Sequence, residues 1–130
     1  MSKERPGLLT LFAVLVFIQA ISGGIHYILI YLGVIPADVD IARVTEFAFP
    51  DVIVGVIPSL IGTFGLWRLK LWGWMLTMIS NGGYLHGVIA SLTYSLIKSE
   101  YRSMNFVSIY FVLFSILLII YLWQQRKIFN

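Results

Sequence analysis

The chain has 130 residues, of which 59% are hydrophobic and 12% charged, and its mean hydropathy is +0.91. This composition is far more apolar than that of ordinary soluble domains, and the length fits one domain without a separate soluble catalytic domain. The net charge of +3 comes from scattered basic residues and does not indicate nucleic-acid binding. Because the chain has no cysteine, disulfide exchange, iron–sulfur ligation and thiol nucleophiles are excluded.

Four long apolar stretches fill almost the whole sequence, at residues 8–34, 47–67, 71–97 and 104–123. An α-helix needs about 20 apolar residues to cross the hydrocarbon core of a bilayer. Backbone groups in lipid must also be satisfied within their own segment, which favours helices. The sequence therefore predicts an all-α integral membrane four-helix bundle, formed as a single domain over 1–130. Short joints between the stretches predict an up-down-up-down order, and the first stretch is too long for the apolar part of a signal peptide.

Basic residues predict the orientation of this bundle. One side collects Lys3, Arg5, Arg68, Lys70, Arg126 and Lys127, whereas the other has Arg43, Lys98 and Arg102. Cytoplasmic loops carry the excess of Lys and Arg, so both termini are predicted in the cytoplasm. The four tryptophans fall at the same boundary, where indole rings prefer to lie. The predicted location is a prokaryotic cytoplasmic membrane, with the lipid bilayer as the first partner.

Small residues recur at four-residue intervals in three of the stretches. Gly83 and Gly87 form a GxxxG pair, Gly55 and Ser59 share the same interval, and the first stretch offers Gly24. Helices in lipid associate by close packing of such residues. We interpret these positions as contacts within the bundle. The alternative is that one of them docks a second copy or a larger membrane subunit.

Pro58 lies inside the second apolar stretch. Proline has no N–H to donate to the carbonyl of Val54, four residues earlier. The sequence therefore predicts a kinked or locally loosened helix. Such a kink either lines a cavity or is a tolerated packing feature, and we favour the second interpretation.

Two ionisable residues, His26 and His86, lie well inside the stretches. His26 follows Gly23 by three residues, and His86 follows Gly83 by three. Each imidazole therefore lies on the same helix face as a glycine, where space next to the backbone is free. The two lie at similar predicted depths in the first and third helices. One hypothesis is a haem b ligated by both imidazoles, which would act in electron transfer. A quinone or lipid in the same cavity is a second hypothesis, and hydrogen bonding to nearby Ser, Asn or Tyr is the simplest explanation.

Asp51 follows Pro50 at the predicted start of the second helix. A carboxylate there complements the helix dipole, and proline suits a first turn. The functional alternative is an entry point for a proton or cation, paired with Arg43.

The two histidines alone do not provide enough ligands for a zinc site, and no metal site is predicted.

The sequence shows no catalytic triad, phosphate-binding loop or pair of intramembrane carboxylates, so it does not predict an enzyme. The leading hypothesis is an accessory subunit of a membrane complex, or a homo-oligomer, that acts through helix–helix association. The second is the haem or quinone redox module between the first and third helices. The third is a transporter of a small molecule or cation.

Overall fold

The structure is a computed structural model that describes residues 6–34, 49–97 and 104–129. Every regular element in these ranges is helical, which confirms the prediction of an all-α fold with four helices. The elements are α1 (Gly7–Tyr31), a π-helical segment (Asp51–Val56) that continues into α2 (Ile57–Trp67), α3 (Leu71–Ile97), α4 (Met104–Gln124) and a short 3-10 turn (Arg126–Ile128). The predicted connections at 35–46 and 98–103 lie outside the described residues.

Consecutive helices run antiparallel. Leu9 at the start of α1 packs with Leu66 at the end of α2 and Leu122 at the end of α4, in one buried apolar cluster. At the opposite end of the bundle, Tyr27 near the end of α1 meets Asp51 at the start of the π-helical segment. Since α3 packs between α2 and α4, the four helices form an up-down-up-down bundle.

The closest helix contact is between α2 and α3, and it depends on glycine. A Cβ added at Gly65 or at Gly73 would overlap the backbone of the other residue. One turn earlier in α2, a Cβ added at Gly62 would lie 2.6 Å from Thr77 Oγ1. Close approach of backbones through small residues is the packing mode favoured between helices in lipid.

Several polar side chains are buried between the helices and form hydrogen bonds there. Ser59 Oγ of α2 donates to Ser80 Oγ of α3 at 2.9 Å. Asn81 Nδ2 of α3 donates to the Ser115 carbonyl of α4 at 2.8 Å, and Trp74 Nε1 donates to the Leu122 carbonyl at 2.9 Å. These bonds tie three helices together, as buried polar groups require.

The outer surface of the bundle is apolar as well. Large hydrophobic side chains are exposed along all four helices, among them Ile28, Ile61, Ile79 and Leu113. In the described residues, α1 is the one helix long and apolar enough to cross a membrane, and 17-residue apolar helical stretches occur at Asp51–Trp67 and Ser108–Gln124. The 27-residue α3 is long enough but carries more polar residues, several of which are the buried ones described above.

The loosening expected around Pro58 takes the form of the π-helical segment. The Ile57 N–H bonds to the Val52 carbonyl, five residues earlier, where an α-helix would use the fourth. Pro58 follows at the second position of α2 and donates no backbone hydrogen bond. The π-helical turn therefore ends next to the proline, which restricts the backbone. Single π-helical turns inside helices are frequent at functional sites.

Candidate functional site

The most polar site of the described molecule is built around Asp51, the first residue of the π-helical segment. Its side chain is half-buried, and the Tyr27 hydroxyl of α1 donates a hydrogen bond to its Oδ2 atom. On the other side, a Cβ added at Gly87 of α3 would lie 3.6 Å from Oδ1. The carboxylate thus lies where α1 and α3 both reach the start of the second helix.

Tyr84 extends this site towards the centre of the bundle. A Cβ added at Gly55 would lie 3.0 Å from Tyr84 Cζ, and one added at Gly23 would lie 3.7 Å from the Tyr84 hydroxyl. The ring therefore occupies space that glycine leaves free on two helices. Its hydroxyl is buried and has no hydrogen-bond partner among the described residues, which is uncommon for a buried polar atom. We call Tyr27, Asp51 and Tyr84 the Asp51 cluster.

The groups in the Asp51 cluster are ones that can exchange a proton or offer oxygen atoms to a cation. It combines one carboxylate, one phenol that donates to it and one further hydroxyl oxygen. The described residues contain no group of three or more His, Cys, Asp and Glu side chains that could hold a metal ion. Arg43, the cation suggested as a partner for Asp51, lies outside the described residues.

The small residues singled out in the sequence all lie at contacts between helices of the chain. Gly24 of α1 faces the Val56 side chain, with 3.5 Å from an added Cβ to Cγ1. Gly83 faces Val54, with 3.0 Å for the equivalent distance. Gly55 and Gly87 contact the Asp51 cluster, and Ser59 is hydrogen-bonded to α3, as described above. Each of these positions therefore has a partner within the bundle.

The structure places His26 and His86 on the outer surface of the bundle. Both side chains are exposed, and the aromatic neighbour of His26 is Tyr27 on the same helix, with 6.1 Å between ring centroids. The space beside Gly23 and Gly83, which the haem hypothesis assigned to a macrocycle, is occupied by side chains of the second and third helices. The two imidazoles are not brought together in the interior, so the geometry does not favour an enclosed haem or quinone.

A second surface feature, which the sequence did not indicate, is an apolar groove between α1 and α2. We call it the α1–α2 groove, and its volume is about 210 Å³. It is lined by Val14, Phe17, Leu60, Thr63, Phe64 and Trp67. The guanidinium carbon of Arg68 lies 4.3 Å from the centroid of the Phe64 ring. A basic group therefore lies at one end of the groove.

Sequence reasoning identified Asp51 but missed its two tyrosines. The available signal was that a tyrosine inside an apolar helix normally finds a partner for its hydroxyl, which makes Tyr27 and Tyr84 candidates for polar contacts.

Comparison of the chain with protein-family models, with curated proteins and with solved structures found no match.

Proposed function

We propose that the chain is a membrane-embedded four-helix bundle that acts by docking a second membrane helix, either from another subunit or from another copy of itself. The membrane part of this proposal is supported by the distribution of polarity. Ser59, Ser80 and Asn81 are buried, whereas large apolar side chains cover the outside of every helix. In water this arrangement would expose far more contiguous apolar surface than soluble proteins tolerate. In lipid the exposed apolar side chains contact acyl chains, while the buried polar groups keep their hydrogen bonds inside the bundle.

The charges support an orientation for this bundle. All four described basic residues, Arg68, Lys70, Arg126 and Lys127, lie at the end where α2 and α4 finish. Asp51, the one acidic residue in the described ranges, lies at the other end. By the positive-inside rule the basic end faces the cytoplasm, which gives cytoplasmic termini in a prokaryotic plasma membrane.

The docking part of the proposal is carried by one observation, the exposed His86 beside Gly82 on the outward face of α3. His86 lies fifteen residues after Leu71, or about 22 Å along the helix axis at 1.5 Å per residue. That depth is inside the hydrocarbon core, where an imidazole facing lipid lacks partners for its hydrogen bonds. One turn earlier, a Cβ added at Gly82 would have no neighbouring atom within 4 Å.

The residues around this pair repeat at coiled-coil spacing. Exposed positions on α3 follow intervals of three and four residues, through Met75, Ile79, Gly82, His86 and Ile89. A continuous stripe of this kind is what a second helix packs against, and the glycine allows close approach. We call these five residues the α3 stripe. A partner on the α3 stripe would offer the exposed His86 imidazole a hydrogen-bonding group that lipid does not provide.

Cysteine cross-linking in native membranes tests this interface directly, because the chain has no cysteine of its own. A single Ile79→Cys variant is expected to form a disulfide-linked homodimer on mild oxidation, or a specific adduct with another subunit when a thiol-reactive cross-linker is used. Leu113→Cys on the exposed face of α4 is the matched control and is expected to give little product. Equal yields at both positions, or none at Ile79→Cys, would remove the proposal.

His86 itself gives a second measurement on the same interface. We expect His86→Leu, combined with Ile79→Cys, to reduce the cross-link severalfold, because the imidazole hydrogen bond across helices is lost while the helix remains apolar. An unchanged yield would show that His86 does not contribute to docking. An absorption spectrum of the purified protein with and without this substitution also tests the haem hypothesis, which requires a Soret band that depends on the histidine.

The Asp51 cluster supports a second candidate function, passage of a proton or small cation from the non-cytoplasmic side. The supporting observation is the half-buried carboxylate that accepts a hydrogen bond from Tyr27, together with the buried Tyr84 hydroxyl, which has no partner within the described part of the chain. If this function is correct, Asp51→Asn abolishes cation or proton flux into proteoliposomes, whereas Ile53→Val on the exposed face of the same segment has no effect. Flux that is absent from the unmodified protein, or unchanged in Asp51→Asn, would exclude the cluster from transport.

A further inference from the structure

We propose that the α1–α2 groove binds one acyl chain of an anionic phospholipid whose headgroup lies against Arg68. This inference rests on the membrane location proposed above, but it concerns a different face from the α3 stripe. It assigns a specific ligand to the surface between the first two helices.

The walls of the groove fit a hydrocarbon occupant. Five of its six lining residues are apolar or aromatic, and the sixth, Thr63, already donates its hydroxyl hydrogen to the Ser59 carbonyl at 2.7 Å. The groove therefore offers no free hydroxyl donor to a polar ligand. An occupant gains by covering apolar surface, including the exposed faces of Phe17 and Phe64.

The size of the groove distinguishes an acyl chain from a protein helix. Its volume of about 210 Å³ follows the surface of α2 from Leu60 to Trp67, roughly two turns. A helix with side chains is about 10–12 Å across and packs against a broad face. A volume of about 210 Å³ can hold part of a flexible hydrocarbon chain, and in a bilayer acyl chains are the neighbours present at the highest concentration.

The charge at the end of the groove favours an anionic headgroup. The Arg68 guanidinium lies over Phe64, itself a wall of the groove, and Lys70 follows two residues later. The same end of the bundle carries Arg126 and Lys127 and, within the described ranges, no acidic residue. Guanidinium groups bind phosphate oxygens in bidentate fashion, and basic sites beside membrane helices on the cytoplasmic side attract anionic lipids.

The molecule contains a matched control for this site. At the end of α4, the Arg126 guanidinium carbon lies 4.9 Å from the centroid of Trp123, which repeats the pairing of an arginine with an aromatic ring. Trp67 and Trp123 are exposed to similar extents, at 43% and 55%. Trp67 lines the groove, whereas Trp123 does not. A difference between the two tryptophans therefore measures the groove rather than the general basic charge of this end.

The experiment measures tryptophan quenching by brominated lipids in vesicles. Variants that retain only Trp67 or only Trp123, with phenylalanine at the other three positions, are reconstituted in phosphatidylcholine. A small fraction of brominated phosphatidylglycerol or brominated phosphatidylcholine is then added. We expect the ratio of quenching by the anionic lipid to quenching by the neutral lipid to be about fivefold higher at Trp67 than at Trp123. Circular dichroism verifies that both variants retain their helices.

Two further substitutions in the Trp67 variant separate the headgroup from the acyl chain. Arg68→Gln removes the guanidinium, and Val14→Phe fills the groove. Each is expected to bring the quenching ratio at Trp67 down to that at Trp123. Equal ratios at the two tryptophans before any further substitution would overturn the proposal. So would weak quenching of Trp67 by both lipids with normal quenching of Trp123, because protein would then cover the groove. If neither tryptophan were quenched by either lipid, the chain would not be in the bilayer, and the proposed membrane location would fail instead.

Discussion

Gly73→Ala is expected to push α2 away from α3 and to lower the free energy of unfolding by about 1–3 kcal/mol, the usual range for overpacking, or by more. The added methyl group would overlap the backbone of Gly65 and lie 2.5 Å from the Leu66 nitrogen. Neither neighbour is the flexible end of a side chain, so the two helices would have to separate. The hydrogen bond from Ser59 to Ser80, two turns further along the same interface, would be strained as a result.

Gly82→Ala is the matched control, on the same helix but facing away from the bundle. Nothing lies within 4 Å of the added methyl group, and alanine is favoured over glycine in helices by up to about 1 kcal/mol. The two substitutions are therefore expected to change stability in opposite directions. Thermal unfolding of the monomer in mild detergent measures both. Equal effects would contradict the close glycine contact between α2 and α3.

Leu113→Asp is expected to prevent stable membrane insertion of α4. Leu113 is near the middle of this helix and is 58% exposed. An aspartate at the centre of a membrane helix costs about 2.5–3.5 kcal/mol on insertion scales. In a water-soluble protein the same change, at an exposed position, would be tolerated and would improve solubility. Leu113→Asp would therefore prevent insertion of a membrane protein, whereas it would leave a water-soluble protein folded.

The measurement for Leu113→Asp is the fraction of protein that stays in the membrane pellet after alkaline extraction. Leu113→Ala is the control, because it shortens the side chain without adding charge, and it is expected to remain in the pellet. A folded Leu113→Asp protein in the supernatant, with the native helical content, would exclude the proposed membrane location.

The helices themselves are predictable from the sequence because their lengths are set by uninterrupted apolar runs. The third predicted stretch, 71–97, has the same bounds as α3, and the first and fourth differ from α1 and α4 by a few residues at their ends. The second, 47–67, covers the π-helical segment as well as α2, and its residues 47–48 lie outside the described part of the chain. The tight reversal between α2 and α3 was also expected from the three-residue joint. In the structure it uses a positive φ of 55° at Leu69 and a bond from the Lys70 N–H to the Gly65 carbonyl.

The rotation of each helix about its axis was not predictable in the same way. In a soluble helix the apolar stripe identifies the inner face, but these helices are apolar on nearly every side. The sequence therefore identified His26 and His86 as unusual without indicating that both face outwards. For the same reason Gly73 and Asn81, which hold α3 to its neighbours, did not stand out from the other small and polar residues.

The candidate site was only partly predictable for a related reason. Asp51 stood out as an acidic residue at a helix start, but its partners depend on the direction in which the carboxylate points. That direction is set by the π-helical segment, whose hydrogen-bond pattern differs from that of the expected α-helix. The contact with Tyr27, 24 positions away in the sequence, follows from this local geometry.

The π-helical segment has a consequence for how insertions and deletions would act on this chain. A π-helical turn holds one residue more than an α-helical turn, so it resembles a single-residue insertion absorbed within the helix. Removal of one residue between Asp51 and Val56 would restore α-helical hydrogen bonding and rotate everything before it by about 100° relative to α2. The carboxylate would then swing away from Tyr27, while the glycine contacts between α2 and α3 stayed in place. One residue in this segment therefore determines whether Asp51 faces Tyr27 while the glycines of α2 face α3.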